Sequence, residues 1–131
     1  MVRVEAQRGE RTLLVADDEP RNIDLIRMVV EEVDVPIRLA TAGNGLEAIR
    51  LARELGPALI LLDLKMPVLD GWEAARQLKA DPATRDIPIV ALSAQAMPGD
   101  REVALAAGCD GYMAKPLDVA AIMRILQERF G

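Results

Sequence analysis

The chain of 131 residues contains no histidine and a single cysteine, Cys109. Without histidine it has no imidazole nucleophile, no histidine-based acid–base pair and no phosphohistidine of its own. One cysteine excludes an internal disulfide, and together with the missing histidines it leaves too few ligands for a conventional zinc site. A chain without disulfides fits a reducing compartment, so we expect a cytoplasmic location.

Aromatic residues are also scarce, at 2%, although hydrophobic residues make up 51%. No apolar run approaches the roughly 20 residues that span a bilayer, and the polar start lacks the apolar stretch of a signal peptide. The net charge of −5 disfavours nucleic acid and anionic membranes as partners. We expect residues 1–11 to form a disordered extension and residues 12–131 to form one domain with an aliphatic core.

What the sequence does have is five short apolar runs, separated by stretches with helical periodicity. The runs are Leu13–Ala16, Pro36–Thr41, Ala58–Leu62, Ile89–Leu92 and Gly111–Ala114. Runs that are apolar on both faces are typical of a parallel sheet covered by helices. The alternation predicts a flavodoxin-like (βα)5 fold, doubly wound, with a five-stranded parallel sheet in the order 2-1-3-4-5.

Capping signals delimit several of the helices. Pro20 suits the first turn of the first helix, and Gly56 followed by proline ends the second. The fourth helix is rich in alanine and is predicted from about Pro98 to Ala107. Asp118 is the expected N-cap of the fifth helix.

Polar residues fall where the predicted strands end. Asp17 and Asp18 follow the first strand, Asp63 the third, Ser93 the fourth and Lys115 the fifth. In the order 2-1-3-4-5 these four strands are consecutive neighbours, about 4.8 Å apart, so their carboxyl ends converge on one crevice.

Three clustered carboxylates repel one another, and Lys115 offsets only one of the charges. The excess suits a divalent cation, and all-oxygen ligands favour Mg²⁺. We therefore expect Asp18 and Asp63 to hold Mg²⁺, with Asp17 acting directly or through water. Asp63 would then accept a phosphoryl group as an acyl phosphate, because phosphoryl transfer needs positioning and charge neutralisation more than acid–base groups. Lys115 would neutralise one phosphoryl oxygen, and the Ser93 hydroxyl would hydrogen-bond another.

The same residues lie in motifs that together resemble the response-regulator receiver domain of two-component signalling, over about residues 12–130. The motifs are Asp17-Asp18, the segment DLKMPVLDG at 63–71, Ser93-Ala94 and the segment YMAKP at 112–116. The resemblance implies that Asp63 is the phosphoacceptor, that Asp17 and Asp18 are the acidic metal pair, and that the backbone carbonyl of Lys65 completes the metal's protein ligands.

The resemblance also implies a switch. Ser93 takes the place of the family's switch hydroxyl and Tyr112 that of its switch aromatic, while Lys115 corresponds to the family's lysine, whose bond to the following Pro116 is often cis. The donor would be a phosphohistidine on a sensor histidine kinase or histidine phosphotransfer protein. Helix 4, strand 5 and helix 5 would signal to a downstream protein, from a monomer or weak dimer. Such a domain is not an enzyme beyond its own phosphoryl transfer and hydrolysis.

Other readings remain open at this point. A phosphorylation-independent binding module would share the fold. An aspartate-nucleophile phosphatase usually has a second acid two residues after the nucleophile, where this chain has Lys65, and a flavin site would need a Ser/Thr-rich loop after the first strand.

Lys65 and Gln95 are expected to affect how fast the phosphoryl group is lost, and Asp70-Gly71 is interpreted as a turn. The sequence does not distinguish a free-standing regulator from a relay shuttle or the receiver of a hybrid kinase.

Overall fold

The computed structural model describes residues 11–94 and 98–131, in which five strands alternate with five helices. The strands are β1 Arg11–Ala16, β2 Ile37–Ala42, β3 Leu59–Asp63, β4 Ile89–Ser93 and β5 Gly111–Ala114. The helices are α1 Pro20–Glu32, α2 Gly45–Leu55, α3 Gly71–Ala80, α4 Asp100–Ala106 and α5 Val119–Phe130. The expected N-terminal extension falls on residues 1–10, which lie outside the described residues, and on Arg11, which already belongs to β1.

The strands form one parallel sheet in the order β2-β1-β3-β4-β5, which confirms the predicted topology. Some predicted strand ends are wrong by one or two residues, whereas both ends of β5 are confirmed. β3 includes Asp63 and β4 includes Ser93, because the ladder continues past them: the N–H of Leu64 donates to the carbonyl of Leu92 at 3.0 Å, and that of Lys115 to the carbonyl of Ser93 at 2.7 Å. Two side chains of the predicted site are therefore held by strand backbone.

The sheet is apolar on both faces, as the sequence predicts. Leu14 and Ala16 of β1 pack into the core beneath α2, α3 and α4, whereas Leu13 and Val15 pack into a second core beneath α1 and α5. Successive side chains of a strand point to opposite faces, so the uninterrupted apolar run of β1 serves both cores. The helices cover the two faces and leave the carboxyl edge of the strands open for chemistry.

Helix starts follow the capping signals closely. Asp118 caps α5 by accepting the N–H of Ala120 at 2.9 Å, which confirms that prediction. α4 is shorter than predicted because Gly99, with a φ of 92°, precedes it, and the Ala107 cap ends it. The interpretation of Asp70-Gly71 as a turn with a structural and not a chemical role is wrong about the turn, because Asp70 is the N-cap of α3 and Gly71 is its first residue.

The loop from Leu64 to Asp70 runs beside the phosphoacceptor candidate and is tightly held. Asp70 caps α3 by accepting the N–H of Glu73 at 2.9 Å. The N–H of Gly71 donates to the carbonyl of Leu64 at 3.0 Å. A Cβ on Gly71 would overlap the backbone carbonyl of Asp63. Glycine here permits a close approach of two backbones.

The tip of the same loop is a γ-turn. The N–H of Leu69 donates to the carbonyl of Pro67 at 2.7 Å, around Val68, whose φ is 70°. A γ-turn with positive φ is rare and strained, and a β-branched residue is poorly suited to it. Val68 is 73% exposed, so little packing compensates for the strain.

The carboxyl end of α5 is tied to the opposite, amino edge of the sheet. The guanidinium of Arg11 donates to the carbonyl of Arg129 at 2.6 Å and lies 5.4 Å from the centre of the Phe130 ring. Arg129 in turn donates to the carbonyl of Ala58 at 3.0 Å. In residues 11–94 and 98–131 no helix combines the length and apolarity needed to cross a membrane.

We expect Gly71→Ala to lower the free energy of unfolding by about 2 kcal/mol or more, because a Cβ forced against backbone moves either β3 or α3. Gly43→Ala is the matched control, since a Cβ at Gly43 meets nothing within 4 Å. Urea denaturation of both variants measures the difference. Equal stabilities would contradict the close approach described for Gly71.

We expect Val68→Asn to raise the free energy of unfolding by about 1 kcal/mol, because asparagine tolerates positive φ at much lower strain. Val68→Ala is the control: it removes the exposed methyl groups and keeps a Cβ in the same conformation. If the asparagine variant is no more stable than the alanine variant in urea, strain at Val68 is not what limits stability there.

Candidate functional site

The carboxyl edge of the sheet brings together the residues that the sequence singles out. Asp17 and Asp18 follow β1, Asp63 ends β3, Ser93 ends β4 and Lys115 follows β5. The register pairs Asp63 with Leu92 and Ser93 with Ala114, so these strand ends lie side by side. The predicted convergence is a consequence of parallel strands that end at one edge.

Asp17 is the most enclosed of the acidic residues, with a fully buried side chain. One carboxylate oxygen, Oδ1, accepts the backbone N–H of Glu19 at 2.9 Å. The other, Oδ2, accepts from Asn22 Nδ2 at 3.2 Å and lies 3.0 Å from Lys115 Nζ. A buried carboxylate needs such partners, because burial without them is costly.

Lys115 Nζ bridges two carboxylates. It lies 3.0 Å from Asp17 Oδ2 and 3.2 Å from Asp63 Oδ2. Partial burial disfavours its charged form, but the hydrogen bond and charge of Asp17, together with those of Asp63, outweigh that effect and raise the pKa of Lys115. The peptide bond from Lys115 to Pro116 is cis, as the resemblance implies.

Asp63 is buried, and its Oδ1 accepts the N–H of Lys65 at 3.2 Å. Burial, followed by the neighbouring negative charge of Asp17, raises the pKa of Asp63. The hydrogen bond from Lys65 and the charge of Lys115 act in the opposite direction without cancelling the increase. Ionisation of Asp63 is therefore less favourable in the folded protein than in the unfolded chain, and it lowers the free energy of unfolding.

The three aspartates form a group suited to a metal ion. Asp17, Asp18 and Asp63 each offer one carboxylate oxygen, and these oxygens lie within 4.8 Å of one another. Asp17 and Asp63 are buried, whereas Asp18 is exposed. Hard oxygen ligands that carry more negative charge than one lysine offsets fit Mg²⁺.

Ser93 lies on the other side of Asp63, in a cleft of about 140 Å³. The residues that line this cleft are Asp63, Leu64, Lys65, Trp72, Ser93, Ala94 and Asp100. Asp63, Ser93 and Lys65 therefore border the same space. A phosphoryl group on Asp63 needs a space of this kind beside the carboxylate. Gln95, the other residue expected to influence phosphoryl loss, lies outside the described residues.

Tyr112 lies on β5 opposite Ala91 of β4 and packs against the core beneath α2, α3 and α4. Its hydroxyl oxygen is buried and has no hydrogen-bond partner among the residues that the structure describes. A buried hydroxyl without a partner is destabilising, so this position of the ring is held by packing rather than by a polar contact.

Three contributors to the site were missed at the level of sequence. Asn22 contacts Asp17, Asp100 lines the cleft beside Asp63, and Gly71 packs against the backbone of Asp63. Asn22 could have been found, because a polar side chain in the first turn of α1 lies close to the carboxyl end of β1. Asp100 and Gly71 depend on loop paths that periodicity does not reveal.

A cleft of about 350 Å³ adjoins the aspartates on the side of β2. Four of the residues that line it are acidic: Asp17, Asp18, Asp24 and Glu47. The others are Pro20, Ile23, Thr41, Ala42 and Gly43. The carboxyl edge is therefore strongly acidic on this side, where Lys115 contacts the buried carboxylate of Asp17.

Comparison with known proteins gives consistent matches along nearly the whole chain. The family model of the response regulator receiver domain matches residues 13–127. The polar-differentiation response regulator DivK of Brucella anthropi is 35% identical over 121 residues, which cover 92% of this chain and 97% of DivK.

Solved structures agree. The receiver domain of a sensor histidine kinase from Pseudomonas aeruginosa, described with a magnesium ion coordinated in its active-site cleft, is 37% identical with a TM-score of 0.81. The match covers 93% of this chain and 98% of that one. The phosphorylated cyanobacterial phytochrome response regulator RcpA is 28% identical with a TM-score of 0.78, over 91% of this chain and 90% of RcpA.

The family match spans most of the chain, the relatives match over nearly their full lengths, and the strand order and the acidic edge are those expected of the same family. The chain therefore belongs to the response-regulator receiver domain family of two-component signalling.

Proposed function

We propose that Asp63 accepts a phosphoryl group from a phosphohistidine and that this modification is the signal the domain passes on. The observation that carries the proposal is the arrangement around Asp63: a carboxylate at the end of β3, with the Lys115 ammonium at 3.2 Å and Asp17 and Asp18 beside it. Phosphoryl transfer in such a site depends on neutralising and aligning the transferred group.

Mg²⁺ would be held by Asp18 and Asp63, with the backbone carbonyl of Lys65 as a further ligand and Asp17 acting through water. When bound, the metal supplies charge neutralisation for the phosphoryl oxygens. The chain's own residues supply the rest. Asp63 is the nucleophile, and Lys115 neutralises the oxygen that faces it. The Ser93 hydroxyl, which shares a cleft with Asp63, would hydrogen-bond another phosphoryl oxygen.

The magnesium ion described in the Pseudomonas aeruginosa receiver domain supports this assignment of the cofactor. So does the charge count of the aspartate group, because two of its three carboxylates share the single ammonium of Lys115. A cation that the protein itself does not supply would balance the remainder.

We assign Ser93 and Tyr112 to the response that follows phosphorylation. Ser93 lies in the cleft beside Asp63 and can move toward a phosphoryl oxygen, and the Tyr112 hydroxyl is held without a polar partner among the described residues. Both residues lie next to α4, whose Val103 and Leu105 are exposed. A shift of these side chains would change the relative populations of two conformations of the face formed by α4, β5 and α5. The affinity of this face for a downstream protein would change with them.

The partners that follow are a sensor histidine kinase or histidine phosphotransfer protein as donor and a separate protein as target. The chain acts in the cytoplasm, as a monomer or weak dimer, and binds neither membrane nor nucleic acid. Its chemistry is limited to its own phosphoryl transfer and hydrolysis.

Intact mass after incubation with acetyl phosphate tests the proposal most directly. We expect the wild type to gain about 80 Da, one phosphoryl group, only when Mg²⁺ is present, and Asp63→Asn to gain nothing. Asp110→Asn is a control, since Asp110 lies at the amino end of β5 and bonds Lys79 instead. An adduct that survives Asp63→Asn would place the acceptor elsewhere.

Beryllofluoride separates a short-lived adduct from a domain that binds partners without being phosphorylated. If no adduct is seen, a beryllofluoride complex that needs both Mg²⁺ and Asp63 shows that the site is competent and the acyl phosphate short-lived. Failure to bind beryllofluoride would contradict the proposed chemistry and leave a binding module. Turnover of a generic phosphoester would instead indicate a phosphatase.

The raised pKa of Asp63 predicts a stability effect with a definite sign. Between the ordinary aspartate pKa and the raised one, the folded protein binds more protons than the unfolded protein, so ionisation of Asp63 lowers stability as pH rises. In EDTA at pH 7 we expect Asp63→Asn to be more stable than wild type, by a margin that shrinks as pH falls toward the ordinary aspartate value.

Urea midpoints from pH 4 to pH 8 measure this margin. The control is Asp34→Asn, because Asp34 is exposed in the loop between α1 and β2. Added Mg²⁺ should stabilise the wild type more than Asp63→Asn, since binding to the folded state alone raises stability. A wild type that is more stable than Asp63→Asn in EDTA would show that Lys115 overcompensates the burial of Asp63.

A further inference from the structure

The two neighbouring aspartates of the site have opposite environments. The Asp17 side chain is fully buried, whereas Asp18 is exposed. Both belong to the group of carboxylates that could hold a metal. Residues adjacent in sequence and similar in chemistry are therefore distinguished by what surrounds them.

What surrounds Asp17 is a set of three donors from three parts of the chain. These are the N–H of Glu19 at 2.9 Å, the side-chain amide of Asn22 at 3.2 Å and the ammonium of Lys115 at 3.0 Å. An ionised carboxylate offers about four acceptor positions, so roughly one is left. With most of its acceptor positions occupied, the Asp17 carboxylate would act on a bound metal ion through water, by accepting a hydrogen bond, and not as a direct ligand.

Lys115 alone does not fix the Asp17 carboxylate, because the same ammonium also lies 3.2 Å from Asp63. If Lys115 turned toward a phosphoryl group on Asp63, Asp17 would lose part of its support. Asn22 has no such competing role in the described contacts. Its backbone N–H donates to the carbonyl of Glu19 at 3.1 Å in the first turn of α1, so the helix places its amide.

We propose that Asn22 is a positioning residue for the metal site. Its side-chain amide holds Asp17 in the orientation that acts through water and so leaves Asp18 and Asp63 as the direct carboxylate ligands. The amide is neutral, so it orients Asp17 without removing negative charge from the site. The inference rests on the proposed magnesium site and adds a residue that neither the motifs nor the metal ligands include.

The test measures Mg²⁺ dissociation constants by isothermal titration calorimetry, with the fluorescence of Trp72 beside Asp63 as a second readout. Asn22→Leu keeps the size of the side chain and removes the donor. We expect it to weaken Mg²⁺ binding about tenfold, the lower end of the effect seen when a partner of a metal ligand is lost. Arg27→Leu, on an exposed position of the same helix, is the matched control and should leave the constant unchanged.

Asn22→Asp separates orientation from charge. It replaces the donor by an acceptor of the same shape and adds a negative charge near the site. Orientation by the amide predicts weaker Mg²⁺ binding than wild type, because the new carboxylate repels Asp17. Tighter binding than wild type would show that net charge governs the affinity and would overturn the proposal.

Urea midpoints in EDTA distinguish positioning from a purely structural role. The proposal predicts a lower Mg²⁺ affinity for Asn22→Leu under conditions in which the variant is fully folded, even though loss of a donor to the buried Asp17 carboxylate lowers its midpoint. A lower midpoint with an unchanged dissociation constant would overturn it. If the wild type itself binds no Mg²⁺, the proposed metal site fails and the role of Asn22 fails with it; if the wild type binds and Asn22→Leu binds equally well, only the role of Asn22 fails.

Discussion

The ion pairs of Lys115 are the interaction on which the functional edge depends. A parallel sheet in the order 2-1-3-4-5 makes β1 and β3 neighbours, so the buried carboxylates of Asp17 and Asp63 at their ends are forced together. At an effective dielectric constant of about 20, like charges about 4 Å apart repel by about 4 kcal/mol. Lys115, at 3.0 Å from one carboxylate and 3.2 Å from the other, supplies attraction of a similar size to each. The fold can therefore keep an acidic edge without being disrupted by it.

The site has two parts: buried carboxylates that are held by hydrogen bonds and ion pairs, and groups that are accessible from outside. Asp17 is enclosed by donors from α1 and from the segment after β5, and Asp63 is held by strand backbone and by the N–H of Lys65. Asp18 and the cleft beside Ser93 remain accessible. Groups that react must be held in place, whereas groups that admit a ligand must be reachable, and the carboxyl edge provides both within a few residues.

The sequence predicts the fold and the main site residues because both follow from short-range patterns. Apolar runs reveal the strands, and each polar residue of the site directly follows or ends such a run, as Asp63 and Ser93 do. Strand order then brings them together without any knowledge of contacts. The strand ends were less predictable, since a ladder hydrogen bond such as that from Leu64 to Leu92 extends a strand beyond its apolar stretch.

What sequence patterns did not reveal are features set by contacts between distant segments or by loop paths. Gly71 is needed because α3 starts against the backbone of Asp63, and Asp70 is a helix cap rather than part of a free turn. The positive φ of Val68 runs against the preference of its residue type, so no local rule indicates it. These features arise where tertiary structure overrides local propensity.

The ties at the far end of α5 have a mechanical consequence. Arg11 and Arg129 fasten its carboxyl end to the amino edge of the sheet, while its other end, at Asp118, lies three residues after Lys115. The helix has 12 residues and is about 18 Å long, so these ties lie far from its amino end. The end of α5 nearest Asp63 is held instead by its Asp118 cap and by the packing of Ile122, and a displacement near Lys115 would act on those contacts first.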